Sequence, residues 1–251
     1  MKVFKFGGAS VKDSAGVKNI IKVLNSVGFE NTLIVVSAMG KSTNTLEKII
    51  DQYFNDRTKT PQGLLELKVF HLKIIEDLFK ENQVEVCSVV NELFEELHAF
   101  IRLNKSPDYS YVYDQVVSFG ELLSTTIIHH YIVYQGLDCC WLDARNCIKT
   151  DDYYRAANLD WDATLSNVKK QVGNASLVIT QGFIGSNSNN FTTTLGREGS
   201  DYSAAIFGYA LNAESVTIWK DVPGILNADP RVFEDTQLLH QISYREAIEL
   251  A

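Results

Sequence analysis

The sequence predicts an α/β fold in which a largely parallel sheet is covered by helices on both faces. Short apolar runs rich in β-branched residues recur along the chain, and helical patterns separate them. At 251 residues and 45% hydrophobic content, the chain is long enough to bury a large core. Runs that stay apolar without alternating mark strands buried on both sides, and strands separated by helices pair in parallel.

The first run, 3–6, passes into Gly7-Gly8-Ala9-Ser10 directly after Lys5. Glycines let backbone N–H groups approach an anion closely and reach turn geometries closed to other residues, and lysine adds a positive point charge. A phosphate-binding turn and a plain tight turn both fit these residues. Val17, Ile20, Ile21, Leu24 and Val27 then recur on one helical face.

The second run, 32–37, leads into a loop carrying the hydroxyls of Ser37, Ser42 and Thr43, at the strand end where parallel sheets form their sites. A helix starting near Asn44 follows. Gly40-Lys41-Ser42 resembles the tail of a Walker A loop, but Val35 stands where that motif needs its first glycine, which excludes a P-loop. Residues 64–103 are charged and periodic enough for two or three antiparallel helices. Ser118-Phe119-Gly120-Glu121 opens an apolar helix over 122–133, with Glu121 in or near its first turn, where the helix dipole alone favours a carboxylate. His129 and His130 lack metal-ligand spacing and read as packing or surface residues.

Runs at 137–142, 176–180 and 215–219 complete the strands. Between the last two, residues 182–194 read as a hairpin turning at the polar stretch 185–190. It feeds Gly196-Arg197-Glu198-Gly199-Ser200-Asp201 and a helix over 202–211. Arg197 can grip a carboxylate in a fork, Gly199 and Ser200 offer backbone donors at a helix N-terminus, and Asp201 can order a neighbouring ammonium. After 219, the Pro-Gly and Asp-Pro pairs within 220–231 mark a loop, placed where a nucleotide-binding sheet would hold base and ribose. Ser243 and Glu246 form a capping box for a last helix.

A net charge of −8 excludes broad phosphate neutralisation, so no nucleic-acid partner is expected. The four cysteines form no Cys-x-x-Cys pair and accompany no spaced histidines, so neither a zinc site nor a disulfide framework is indicated. No stretch reads as a secretion signal or as long enough to cross a bilayer, so no membrane partner is expected and a cytoplasmic protein is the expectation.

Taken together, Lys5-Phe-Gly-Gly-Ala-Ser10, Ser37-Ala-Met-Gly-Lys-Ser-Thr43, Ser118-Phe-Gly-Glu121, Gly196-Arg-Glu-Gly-Ser-Asp201 and the 220–231 segment closely resemble the aspartate kinases of the amino acid kinase family. The order and spacing match across nearly the whole chain. The resemblance implies a three-layer αβα sandwich with a mainly parallel central sheet. It implies phosphorylation of the L-aspartate side chain by ATP with Mg²⁺, giving 4-phospho-L-aspartate, the entry step to lysine, threonine and methionine. No protein metal-ligand set is implied, and a homodimer is expected for the full-length protein. Another amino acid kinase, or a fragment that binds substrate without turnover, is the alternative.

Carried over by position, Lys5 contacts the phosphates and stabilises the transferring group, with Gly7 and Gly8 donating backbone hydrogen bonds and Ser37 beside them. Thr43 helps hold the amino acid, Glu121 binds its α-ammonium, and Arg197 takes its α-carboxylate beside Gly199 and Ser200. Asp201 organises Lys5, and the nucleotide rests against Lys220, Asp221, Leu226 and Arg231. The family often has glycine at Glu198, threonine at Ala9 and Lys220, and an aromatic at Leu226. The resemblance makes 1–251 one catalytic domain, amino-acid-binding in its N-terminal part and nucleotide-binding over roughly 175–251. It also implies that the chain stops inside its last helix, before a second phosphate lysine and regulatory ACT domains.

Overall fold

The computed structural model describes residues 1–222 and 224–250. Among these, strands β1 (Lys2–Phe6), β2 (Thr32–Val36), β3 (Cys140–Leu142), β4 (Leu177–Gln181) and β7 (Ser215–Trp219) form one sheet in the order β3-β4-β2-β1-β7. Every pairing in it is parallel. β5 (Ile184–Ser186) and β6 (Thr192–Thr194) make the expected antiparallel hairpin.

The helices are α1 (Ser14–Val27), α2 (Ser42–Asn55), α3 (Thr60–Phe79), α4 (Val84–Leu103), α5 (Tyr109–Val117), α6 (Phe119–Tyr134), α7 (Ala144–Cys147), α8 (Trp161–Val172), α9 (Gly199–Ala210) and α10 (Tyr244–Leu250). The chain divides into two compact units, Met1–Trp219 and Lys220–Ala251.

Period-two alternation in the strands separates two cores. Phe4, Phe6, Ile34, Val36 and Ile179 face a large cluster built with α1 to α6. Val3, Leu33, Val35 and Val178 face a smaller one with Val168 and Val172 of α8 and Ala204, Ile206 and Phe207 of α9. Both faces being covered is why these strands carry no polar alternation. The αβα layering expected from the sequence is therefore present.

Several boundaries differ from expectation. β3 starts at Cys140 rather than 137, and α9 starts at Gly199 rather than 202. On α1, Val27 is 42% exposed instead of joining Val17, Ile20 and Leu24 in the core. The expectation that no stretch is long enough to cross a bilayer needs correction. α5 and α6 are separated only by Ser118, giving a 26-residue stretch whose most apolar 18-residue window has a mean hydropathy of 1.2 and is 83% buried inside the protein. It is the central core helix of the larger cluster. The capping box forms as expected: Ser243 N–H donates to Glu246 Oε2 at 2.8 Å, and Glu246 N–H returns to Ser243 Oγ at 3.2 Å.

Candidate active site

A cavity of about 420 Å³ opens among the C-terminal ends of the strands and the start of α9, where open parallel sheets place their ligands. Its lining includes Lys5, Gly8, Ser37, Thr43, Glu121, Arg197, Gly199, Ser200 and Asp201. Those residues lie on four separate chain segments, and the parallel topology is what brings them together. Gly7 is the next residue back along the β1 turn: a Cβ there would lie 3.4 Å from Lys5 Nζ.

Lys5, one residue before the end of β1, points to the α9 face and is only 6% exposed. Its Nζ meets Asp201 Oδ1 at 2.6 Å, across from the first turn of α9. The early start of α9 explains the match, because it puts Gly199, Ser200 and Asp201 all in that first turn. The N–H groups of Gly199 and Asp201 donate to Gly196 O and Glu198 O at 3.0 and 2.9 Å, so it is the helix dipole that adds positive potential beside the lysine.

The glycine turn is required for a different reason from the one expected. Neither Gly7 nor Gly8 has a positive φ, so freedom of conformation is not what they supply. Space is: a Cβ on Gly8 would stand 2.6 Å from Ala38 O, and Gly40 N–H donates to Gly8 O at 3.1 Å. The turn after β1 and the loop after β2 thus touch backbone to backbone.

Glu121 lies in the first turn of α6 and is 3% exposed. Its Oε1 accepts from Ala38 N–H at 3.3 Å, while Oε2 is buried without a partner. Burial pushes this carboxyl up to about 8, against the weaker opposing pull of the Ala38 N–H. Oε2 is thus a buried carboxyl oxygen on the cavity wall with no protein donor. Ser37, whose carbonyl accepts from Ser124 Oγ at 2.8 Å, is fixed by the same helix.

Glu198 adopts φ 56°, ψ 21°, the left-handed region, as the residue preceding α9. This is the position where a glycine would be at ease, and it costs a non-glycine residue about 1 kcal/mol.

The cavity also holds residues that the motifs did not single out: Tyr113, Arg155 and Phe183. Phe183 and Arg155 have φ of 71° and 70°, and neither is flagged by a glycine in sequence. Arg155 is placed by Asp114 on α5. That fully buried carboxylate accepts from Arg155 N–H (3.0 Å to Oδ2), Thr194 N–H (2.8 Å) and Thr194 Oγ1 (2.8 Å). Burial raises the Asp114 carboxyl to about 6, with those donors pulling the other way.

Lys220, Asp221, Leu226 and Arg231 belong to the second unit, Lys220–Ala251. Within it, Leu226 bridges Leu238, Asn227 N–H donates to Gln237 O at 3.0 Å, and Arg231 pairs with Asp229 at 2.8 Å. His129 and His130 bind the carbonyls of Cys139 and Thr126, in keeping with packing roles.

Comparison with known proteins shows the family of the chain. The profile of the amino acid kinase family matches residues 1–251. The chain belongs to that family. This amino acid kinase domain is 33% identical over 252 residues to lysine-sensitive aspartokinase 3 of Escherichia coli, covering 99% of the chain and 55% of that protein. It is 34% identical over 263 residues to chloroplastic aspartokinase 2 of Arabidopsis thaliana, covering 99% of the chain and 47% of that protein. The crystal structure of E. coli aspartokinase III with aspartate and ADP superposes with a TM-score of 0.89 at 33% identity, over 99% of the chain and 55% of that one. The chain thus spans about half the length of these relatives.

Proposed function

We propose that this domain binds L-aspartate in the 420 Å³ cavity and serves an aspartate kinase, which transfers the γ-phosphoryl group of ATP to the side-chain carboxylate. The observation that carries the reading is the pairing, in one cavity, of the buried unpartnered Glu121 Oε2 with the exposed fork of Arg197. Glu121 suits an α-ammonium and Arg197 an α-carboxylate, so together they suit a free amino acid. The likeness to aspartokinase III, solved with aspartate and ADP, supports the same ligand pair.

In this reading the nucleophile is already ionised, since a free carboxylate has a reference pKa near 4, and no general base is needed. The work left to the protein is alignment and charge stabilisation. Thr43, Glu121, Arg197, Gly199 and Ser200 hold the amino acid with its side chain toward Lys5. The Lys5 ammonium, held by Asp201, and the amides of Gly7 and Gly8 face the phosphoryl oxygens, with Ser37 beside them. Mg²⁺ carried mainly by the nucleotide phosphates would spread their negative charge. Lys220, Asp221, Leu226 and Arg231 are assigned to the rest of the nucleotide.

The proposed setting is a cytoplasmic homodimeric enzyme opening lysine, threonine and methionine synthesis. A coupled ADP-release assay on the full-length protein tests the reading across L-aspartate, L-glutamate, N-acetylglutamate and carbamate. Aspartate is expected to give the highest kcat/KM; preference for any other acceptor would overturn the assignment.

A further inference from the structure

The cavity holds more guanidinium than the proposed machinery uses. Arg155 lines it together with Arg197, and among the described residues neither has a carboxylate within 4.0 Å. Lys5, by contrast, is already paired with Asp201. A cation left without an internal counter-ion at the wall of a cavity is available to an anionic ligand.

The placement of Arg155 is costly and specific. Its φ of 70° lies in the left-handed region, and its N–H is gripped by both oxygens of the buried Asp114, at 3.2 and 3.0 Å. Its guanidinium carbon sits 4.8 Å from the Tyr113 ring centroid and 5.5 Å from that of Tyr109. A guanidinium over aromatic rings is drawn to their faces while its N–H groups remain able to donate. Tyr113 is held in turn by donating to Glu47 at 2.9 Å. The Arg155 backbone also abuts the other arginine's turn: a Cβ on Gly196 would lie 3.3 Å from Arg155 O.

The geometry points to Arg155 as a second ligand for the α-carboxylate of the amino acid, a specificity-determining residue acting beside Arg197, with Asp114 as its positioning residue. This rests on the reading that the cavity binds a free amino acid. Two guanidinium groups against one carboxylate explain why a ligand lacking that charge would be rejected. They also offset the negative charge of Glu198 on the same wall.

Arg155→Gly is the informative variant, because glycine keeps the N–H for Asp114 and accepts the left-handed backbone while removing only the side chain. Calorimetric titrations of L-aspartate and of its α-amide into the wild-type chain and the variant test the inference. The expected result is about a tenfold weaker L-aspartate Kd in Arg155→Gly, with the affinity for the α-amide unchanged and Tm undiminished. Arg155→Lys is expected to recover part of the loss. Equal L-aspartate affinity in wild type and Arg155→Gly, or equal proportional losses for both ligands, would overturn the role of Arg155 while leaving the aspartate reading intact. Failure of the wild-type chain to bind L-aspartate would instead overturn that reading, and this role with it.

Discussion

Glu121 shows how one residue can be prepared for a ligand at the expense of the fold. Its carboxyl is raised from 4.5 to about 8 by burial, so between those values the folded chain keeps a proton that the unfolded chain has released. Its contribution to stability is therefore whole below pH 4.5 and is lost as the pH rises to about 8. Binding an ammonium demands the ionised form, so amino-acid affinity is expected to climb with pH up to about 8 and then level off. Glu121→Gln keeps the acceptor for Ala38 N–H and removes the charge. The variant is expected to gain stability on the order of 4 kcal/mol at pH 8 and almost none at pH 4.5, while losing aspartate binding. Thermal melts at the two pH values, paired with calorimetry, check both halves; a gain independent of pH would contradict this account of the carboxyl.

At the scale of elements, the site depends on α5 clamping the hairpin and the 151–159 loop. Asp114 serves Thr194 on β6 and Arg155 on the loop, and Gln115 exchanges bonds with Thr192 (2.7 Å to its carbonyl, 3.2 Å from its N–H). Asp114→Ala leaves two backbone N–H donors and one hydroxyl without their acceptor. That is expected to cost about 3 kcal/mol, read as a lower urea midpoint at unchanged m-value. An unchanged midpoint would refute the clamp.

This clamp is also where sequence reading stops being informative. β1, β2 and β4 are legible because strands buried on both faces must be continuously apolar, β7 because its run is rich in β-branched residues although it is an exposed edge strand, and the capping box of α10 because it is local. α5 and α8 are not, since α5 begins among tyrosines and α8 shows only Leu165, Val168 and Val172 as an apolar stripe. Arg155 has no local signal either. Its position is set by a carboxylate 41 residues away, which also holds a strand 80 residues further along.

At the scale of the whole molecule, the fold accounts for why distant motifs converge. Parallel strands all present their C-terminal ends to the same edge, so the turn after β1, the loop after β2, the hairpin after β4 and the start of α9 open into one cavity. The motifs that predicted ligand contacts in 1–219 are the ones that line it or adjoin it, which is the physical content of the resemblance. The structure adds Arg155, Tyr113 and Phe183, whose strained or stacked geometry only the folded chain reveals. The central claim is that this cavity recognises L-aspartate through the Arg197 fork. Its most direct test is calorimetric titration of the chain with L-aspartate and L-glutamate, repeated with Arg197→Lys. The account predicts that aspartate binds more tightly than glutamate, and that the lysine variant loses at least about tenfold in aspartate affinity because a point charge cannot replace a bidentate fork. Equal aspartate affinity in wild type and Arg197→Lys, or tighter binding of glutamate, would contradict it.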